Sequence, residues 1–235
     1  SEIHYDAALA AERARVFPPI SLDLLSYDPA RVRNPYLFAL RRVPFLGRAV
    51  EFEELLKFCL AEGNDGIWWL WYGPGGFGKS RLAHELCLHL FDQGWCVGRL
   101  DLRVKFNSWD RVELTRDTLI VVDYVAEHPQ RAAKAIAAMH RRRDSLSQHG
   151  ARVRFLLLER SAEGQWKETF DRGERAADGE HLLQSEYRAD PEHPRGRPRR
   201  LGNIDIRSLL STMGFIFRER GFAGMIDGQR LVRLI

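Results

Sequence analysis

The amino-acid sequence predicts an α/β fold, a doubly wound, mostly parallel sheet with helices on both faces. Short apolar runs rich in β-branched or aromatic residues predict buried strands at 67–72, 95–102, 118–122 and 153–158. Apolar residues at helical spacing predict the helices between them, at 48–61, 82–91 and 132–146. Because strands and helices alternate along the chain, we expect parallel strands joined by helical crossovers.

Composition divides the 235 residues into four parts. Residues 1–44 are a helical lead-in with a predicted helix at 3–16, and residues 45–170 are the α/β core. Residues 171–203 are rich in Asp, Glu, Gly, Pro and Arg, which predicts a loop or linker. An apolar pattern resumes in residues 204–235, which predicts a small C-terminal helical or lid region.

Cysteine content and hydropathy limit the classes of protein to consider. Cys59, Cys87 and Cys96 lack CxxC spacing, so we expect reduced core residues and not a disulfide framework or a zinc site. No apolar run approaches the roughly 20 residues that cross a bilayer, and no secretory signal is visible at the start of the sequence. We therefore expect no membrane partner and a cytoplasmic location.

A glycine-rich segment follows the first predicted core strand. Residues 73–80, GPGGFGKS, satisfy G-x-x-x-x-G-K-[ST] between a predicted strand and a predicted helix. Backbone N–H groups of this loop are expected to surround phosphate oxygens, helped by the positive end of the helix. Lys79 is predicted to bridge the β- and γ-phosphates, and the Ser80 hydroxyl to ligate Mg2+. The sequence thus predicts binding of ATP or ADP with Mg2+ by Gly73, Gly75, Gly76, Phe77, Gly78, Lys79, Ser80 and Arg81.

A carboxylate ends the third predicted strand. Asp123 follows the apolar run 118–122, and ligands of open α/β sheets bind at the carboxyl edge of the strands. Asp123 is therefore a second candidate to hold Mg2+, and capping of the following loop is the alternative. The next residue is Tyr124, whereas many hydrolysing P-loop enzymes with an extra strand have Glu directly after this Asp. Glu127 is the nearest carboxylate for orienting an attacking water, or else a helix N-terminal residue stabilised by the dipole.

An arginine ends the fourth predicted strand. Arg160 follows the run 153–158 and Glu159. A guanidinium at this edge is suited to sense the γ-phosphate and to stabilise charge during transfer, and the alternative is an ordinary surface arginine.

Taken together, these motifs resemble the STAND branch of P-loop NTPases, which includes the NACHT proteins. The resemblance covers about half the chain and lies in FLGR at 45–48 with Glu51, Phe52 and Leu55, then GPGGFGKS, LIVVDY and LLLER followed by Trp166. It implies a sensor role for Arg160 and a cover over adenine and ribose formed by Phe45, Leu46, Gly47 and Arg48. It also implies a bacterial switch ATPase of signalling or phage defence, with slow hydrolysis coupled to self-association or to other domains of a larger protein.

Two other functions remain open from the sequence. A small-molecule phosphotransferase would use the same phosphate-binding loop, with residues 171–202 as a mobile lid. A nucleic-acid-binding regulator would use the arginine clusters at 140–143 and 195–200. For each cluster we favour a solvated helix face or a disordered loop, and the net charge of +4 does not by itself indicate nucleic acid.

Overall fold

The computed structural model describes residues 20–21, 45–103, 105–112, 114–148, 150–173, 175–189 and 197–204. The helix predicted at 3–16 and the C-terminal segment after residue 204 lie outside these residues.

A six-stranded sheet organises the described part of the chain. Its strands are β1 (Ile20–Ser21), β2 (Trp68–Tyr72), β3 (Cys96–Leu100), β4 (Thr118–Asp123), β5 (Val153–Glu159) and β6 (Arg199–Arg200). Their spatial order is β1-β3-β4-β5-β2-β6, in which β1 runs antiparallel to β3 and all other pairs are parallel. The helices are α1 (Ala49–Leu60), α2 (Lys79–Asp92), α3 (Pro129–Arg141), α4 (Arg143–Gln148), α5 (Gln165–Arg172) and α6 (Ala176–Gln184).

Both faces of the sheet are covered, as the alternating side chains of β2 illustrate. Trp68 and Leu70 belong to a core shared with α3, α5 and α6, whereas Trp69 and Trp71 belong to a second core shared with α1 and α2. A strand that is buried on both faces has a continuous apolar sequence, and for this reason β2 could be predicted from the sequence. The prediction of an α/β fold with a mostly parallel sheet and helices on both faces is therefore confirmed.

The position of β5 between β2 and β4 determines which strand ends are neighbours. In the parallel register Tyr72 lies opposite Glu159, and Asp123 lies opposite Leu158. The carboxyl ends of three neighbouring strands therefore meet at one edge of the sheet. The glycine-rich loop leaves β2 at this same edge.

The prediction of a loop or linker at 171–203 is wrong at residues 176–184, which form α6, and at 199–200, which form β6. Helix α6 packs there through buried Leu182 and Asp178, and Asp178 accepts a 2.8 Å hydrogen bond from Arg141 of α3. Two residues at 199–200 then add β6 to the edge of β2. Each element is anchored by an ion pair, Arg141–Asp178 for α6 and Arg199–Glu54 for β6, and such polar contacts leave no apolar pattern in the sequence. The helix predicted at 132–146 is likewise two helices, α3 and α4.

Both arginine clusters make contacts within the protein. Arg142 donates to the carbonyl oxygens of Trp109 and Val112 at 3.2 and 2.6 Å. Arg199 donates to both carboxylate oxygens of Glu54, at 2.7 and 3.0 Å. At least one arginine of each cluster is therefore engaged with protein acceptors.

Cys59 and Cys87 are buried free thiols, and Cys96 is a half-buried one. Burial raises the pKa of the Cys87 thiol to about 12, so this group stays protonated and inert. Within the described residues, no helix has both the length and the apolar character needed to span a membrane.

Candidate functional site

The glycine-rich loop runs from the end of β2 to the start of α2 at Lys79. Gly76 and Gly78 have φ values of 81° and 86°, in the left-handed region that side-chain-bearing residues rarely adopt. A Cβ placed on either residue would meet no atom within 4 Å, so the space beside these two residues is open. The loop therefore has the backbone conformation and the free space that an anion at the N-terminus of α2 requires.

Lys79 folds back over this loop. Its Nζ donates to the carbonyl oxygens of Gly73 and Pro74, at 2.6 and 3.1 Å. Burial lowers the pKa of the Lys79 ammonium, while the negative charges of Asp123 and Glu159 act in the opposite direction. A half-buried ammonium held by neutral carbonyl groups gains from an anionic ligand, which would supply a counter-charge.

Ser80 and Asp123 meet across the same edge. The Ser80 Oγ donates to Asp123 Oδ2 at 2.8 Å. Burial raises the pKa of Asp123, and the hydrogen bond from Ser80 opposes that effect. A hydroxyl and a carboxylate are hard oxygen ligands of the kind that Mg2+ selects. The described residues contain no group of three or more His, Cys, Asp or Glu suited to a metal.

A tight turn follows Asp123. Tyr124 adopts left-handed angles, φ 58° and ψ 53°, and its N–H donates to the Leu158 carbonyl oxygen at 3.0 Å. Residues Val125–Glu127 then form a short 3-10 helix in which the Glu127 side chain is exposed. The predicted water-orienting carboxylate therefore lies close to Asp123 in the chain, on the solvent side of the turn.

Arg160 reaches the same turn from β5. Its side chain is exposed, and its guanidinium carbon lies 5.7 Å from the centroid of the Tyr124 ring, a cation–π arrangement. The charge of Arg160 also acts on the pKa of Lys79. The structure thus brings Arg160, Lys79 and Asp123 to one edge, although 37 residues separate Asp123 from Arg160.

The FLGR segment lies beside the loop. A cavity of about 480 Å³ is lined by Phe45, Leu46, Gly47, Arg48, Ala49, Phe52, Glu85, Leu88, His89 and Asp92. Phe45 and Phe52 make an edge-to-face contact there, with ring centroids 6.0 Å apart. Arg81 pairs with Glu85 at 2.7 Å along α2. The lining is mixed, with Phe45 and Phe52 beside the acidic Glu85 and Asp92, and it includes no residue of the glycine-rich loop. The cover over adenine and ribose therefore stays a prediction.

Arg48 has a role that the sequence did not predict. It is 4% exposed and donates to Glu51 Oε1 at 2.7 Å, to the Phe77 carbonyl oxygen at 3.0 Å and to the Gly202 carbonyl oxygen at 2.7 Å. One guanidinium therefore ties the start of α1 to the glycine-rich loop and to a segment far along the chain. Its nearest acceptors are protein groups, so its first role is to hold the loop.

Two further features of the site were not predicted from the sequence. The segment 197–204 runs beside the loop, where the Leu201 N–H donates to the Tyr72 carbonyl oxygen at 2.7 Å. A Cβ on Gly73 would stand 2.9 Å from the Leu201 carbonyl oxygen, so only glycine permits this approach. Glu159 is a buried carboxylate at the end of β5, and the rule that identified Asp123, a charge at the end of an apolar strand, would have found it.

No family model and no curated protein matches this sequence.

Proposed function

We propose that this chain binds ATP or ADP with Mg2+ at residues 73–80 and acts as a nucleotide-dependent switch of the STAND type. The observation that carries the proposal is the 2.8 Å hydrogen bond between Ser80 and Asp123. It joins the end of the glycine-rich loop to the end of β4, where a P-loop NTPase holds its magnesium ion between a hydroxyl and a carboxylate. Bound there, Mg2+ neutralises phosphate charge and orients the phosphate chain.

Sheet order supports the assignment to P-loop NTPases with an extra strand. β5 separates the loop-bearing β2 from β4 with its terminal Asp123. The carboxyl end of β5 therefore lies between the glycine-rich loop and Asp123, at the edge where ligands of open α/β sheets bind. Arg160 emerges at this point and is the proposed sensor of the γ-phosphate.

Slow hydrolysis is part of the proposal. Tyr124 occupies the position directly after Asp123, and its ring lies beside Arg160. The nearest carboxylate along the turn, Glu127, is exposed to solvent, where a water is poorly oriented. A weak ATPase suits a switch, because the bound nucleotide then sets the populated conformation for a long time. The switch would act on self-association or on other domains of a larger protein in bacterial signalling or defence.

The phosphotransferase and nucleic-acid alternatives have less support. A lid at 171–202 would have to undock α6, which is anchored by the Arg141–Asp178 pair and by buried Leu182. The arginines at 142 and 199 are engaged with protein acceptors.

Titration of ATP–Mg2+ and ADP–Mg2+ into wild type and Lys79→Ala by calorimetry tests nucleotide binding. The variant removes a charge-assisted contact worth about 1.5–3 kcal/mol, so affinity should fall roughly ten- to hundredfold. Lys57→Ala is the matched control, because Lys57 is an exposed lysine of α1 and its loss should leave affinity unchanged. Circular dichroism must show that both variants are folded. Equal affinity of folded Lys79→Ala and wild type would remove the assignment.

A further inference from the structure

Glu159 is a buried charged residue to which neither the motifs nor the proposed chemistry assigns a task. It ends β5 and is 6% exposed. A carboxylate taken out of water is costly unless hydrogen bonds compensate for the lost hydration. Its place between the ends of β2 and β4 puts that cost at the candidate nucleotide site.

The partners of Glu159 explain how its charge is accommodated. Oε1 accepts the N–H of Arg160 at 2.6 Å, and Oε2 accepts the N–H of Ala126 at 2.9 Å. The main-chain oxygen of Glu159 accepts the N–H of Gly73 at 3.1 Å. One residue thus contacts the first position of the glycine-rich loop, the turn after Asp123 and the backbone of Arg160.

The two side-chain hydrogen bonds join the segments whose side chains meet. Tyr124 lies two residues before Ala126, and its ring stands 5.7 Å from the Arg160 guanidinium carbon. Both bonded partners are N–H donors, so the side chain must offer two acceptors. Glutamine would turn an NH2 group toward one of the donors and lose that bond. Accepting both N–H groups at once therefore requires a carboxylate and not merely a polar side chain.

We propose that Glu159 is a positioning residue that fixes Arg160 and the 124–127 turn against the phosphate-binding loop, so that Arg160 can distinguish ATP from ADP. The inference rests on the proposed nucleotide binding and deepens it. Glu159 acts through Arg160 and Ala126 and does not itself contact the nucleotide.

The test measures the dissociation constants of ATP–Mg2+ and ADP–Mg2+ for wild type, Glu159→Ala, Glu159→Gln, Arg160→Ala and the Glu159→Ala/Arg160→Ala double variant. The quantity of interest is the ratio of the ADP constant to the ATP constant. Loss of one charge-assisted contact to the γ-phosphate should lower this ratio roughly tenfold or more in Arg160→Ala. Glu159→Ala should lower it by a similar factor, and the double variant should lower it no further.

Matched variants separate positioning from general stability. Glu163→Gln removes the same charge from an exposed side chain in the following loop and should leave the ratio unchanged. Glu159→Asp keeps both acceptor oxygens on a shorter side chain and should recover part of the ratio that Glu159→Ala loses. A merely structural Glu159 would lower the melting temperature of its variants without changing the ratio.

Each outcome decides a different point. A wild-type ratio in folded Glu159→Ala, or additive losses in the double variant, would overturn the inference while nucleotide binding stands. If Glu159→Ala does not fold, Glu159→Gln takes its place in the comparison, and a wild-type ratio there would equally overturn it. Equal affinity of wild type for both nucleotides would remove the sensor role of Arg160 and this inference with it. Absence of nucleotide binding by wild type would instead refute the proposed function.

Discussion

Replacing Arg48 by alanine should loosen the glycine-rich loop and the segment 197–204 together. The substitution removes hydrogen bonds to Glu51, Phe77 and Gly202 from a side chain that is 4% exposed. It leaves the Glu51 carboxylate and two carbonyl groups without this donor. ATP and ADP should therefore both bind more weakly, because Phe77 belongs to the loop that would hold the phosphates of either nucleotide.

The contacts set the expected size of the effect. Hydrogen bonds to a charged group contribute about 1.5–3 kcal/mol each, but neighbouring groups and water recover part of that loss. Breaking a fully buried ion pair by removing one partner typically costs about 3–5 kcal/mol. Because Glu51 is 18% exposed, we expect the free energy of unfolding to fall by less, about 2–3 kcal/mol. Arg48→Lys should lose less, because an ammonium keeps the charge but lacks the planar fork that reaches several acceptors.

Urea unfolding measures the stability term, and titration with both nucleotides measures the binding term. Hydrogen exchange of the Leu201 amide adds a local probe, since that N–H donates to Tyr72 beside the loop. Arg172→Ala is the control, because Arg172 is 81% exposed and pairs only loosely with Glu168, at 3.8 Å. Its cost should stay within about 0.5 kcal/mol.

A loss of less than about 1 kcal/mol in Arg48→Ala would show that the three hydrogen bonds contribute little to stability. Weakening of ATP alone, with ADP unaffected, would also contradict the reasoning, because the Phe77 carbonyl has no means of distinguishing the two nucleotides.

Three other substitutions test the site and the packing around it. Asp123→Asn should spare nucleotide affinity to within several-fold yet suppress phosphate release, since it removes a metal-orienting charge but no phosphate donor. Glu127→Gln should lower turnover without weakening binding, and a wild-type rate would assign the water-orienting role to another group. Burial, with Arg143 and His181, lowers the pKa of His140 from 6.5 to about 4. As the pH falls, the unfolded chain therefore binds a proton at His140 before the folded chain does. The free energy of unfolding should fall by about 1–3 kcal/mol between pH 6.5 and 4. Unfolding measured across this pH range should show that His140→Gln abolishes the loss.

Local sequence patterns predict the elements but not their spatial order. The strands at 118–122 and 153–158 are recognisable because a buried parallel strand is apolar throughout, and each extends one residue further in the structure. The glycine-rich loop is recognisable because its residues are contiguous. That β5 lies between β2 and β4 depends on pairing between distant segments, which no single window contains.

The role of Arg48 cannot be predicted from the sequence for the same reason. Its two main-chain acceptors lie 29 and 154 residues away. Strand β6 has two residues and follows a polar stretch, so neither length nor composition marks it. Such an element exists because backbone groups at the edge of β2 pair with it, and the pairing is visible only once the sheet has formed.

The conformation of the turn after Asp123 bears on the expected rate of hydrolysis. Among the described residues, Tyr124 is the one non-glycine residue with a positive φ, a conformation that costs a side-chain-bearing residue about 1–2 kcal/mol. The cost is offset by the bonds from Tyr124 to Leu158 and from Ala126 to Glu159. The left-handed angles reverse the chain at the edge of the sheet, which leaves the Asp123 carboxylate with Ser80 and the Tyr124 ring with Arg160. Strain retained at such a place points to function. The position that follows Asp123 thus carries a phenol engaged with the proposed sensor and not a carboxylate directed at water, which is the physical reason to expect a slow hydrolase.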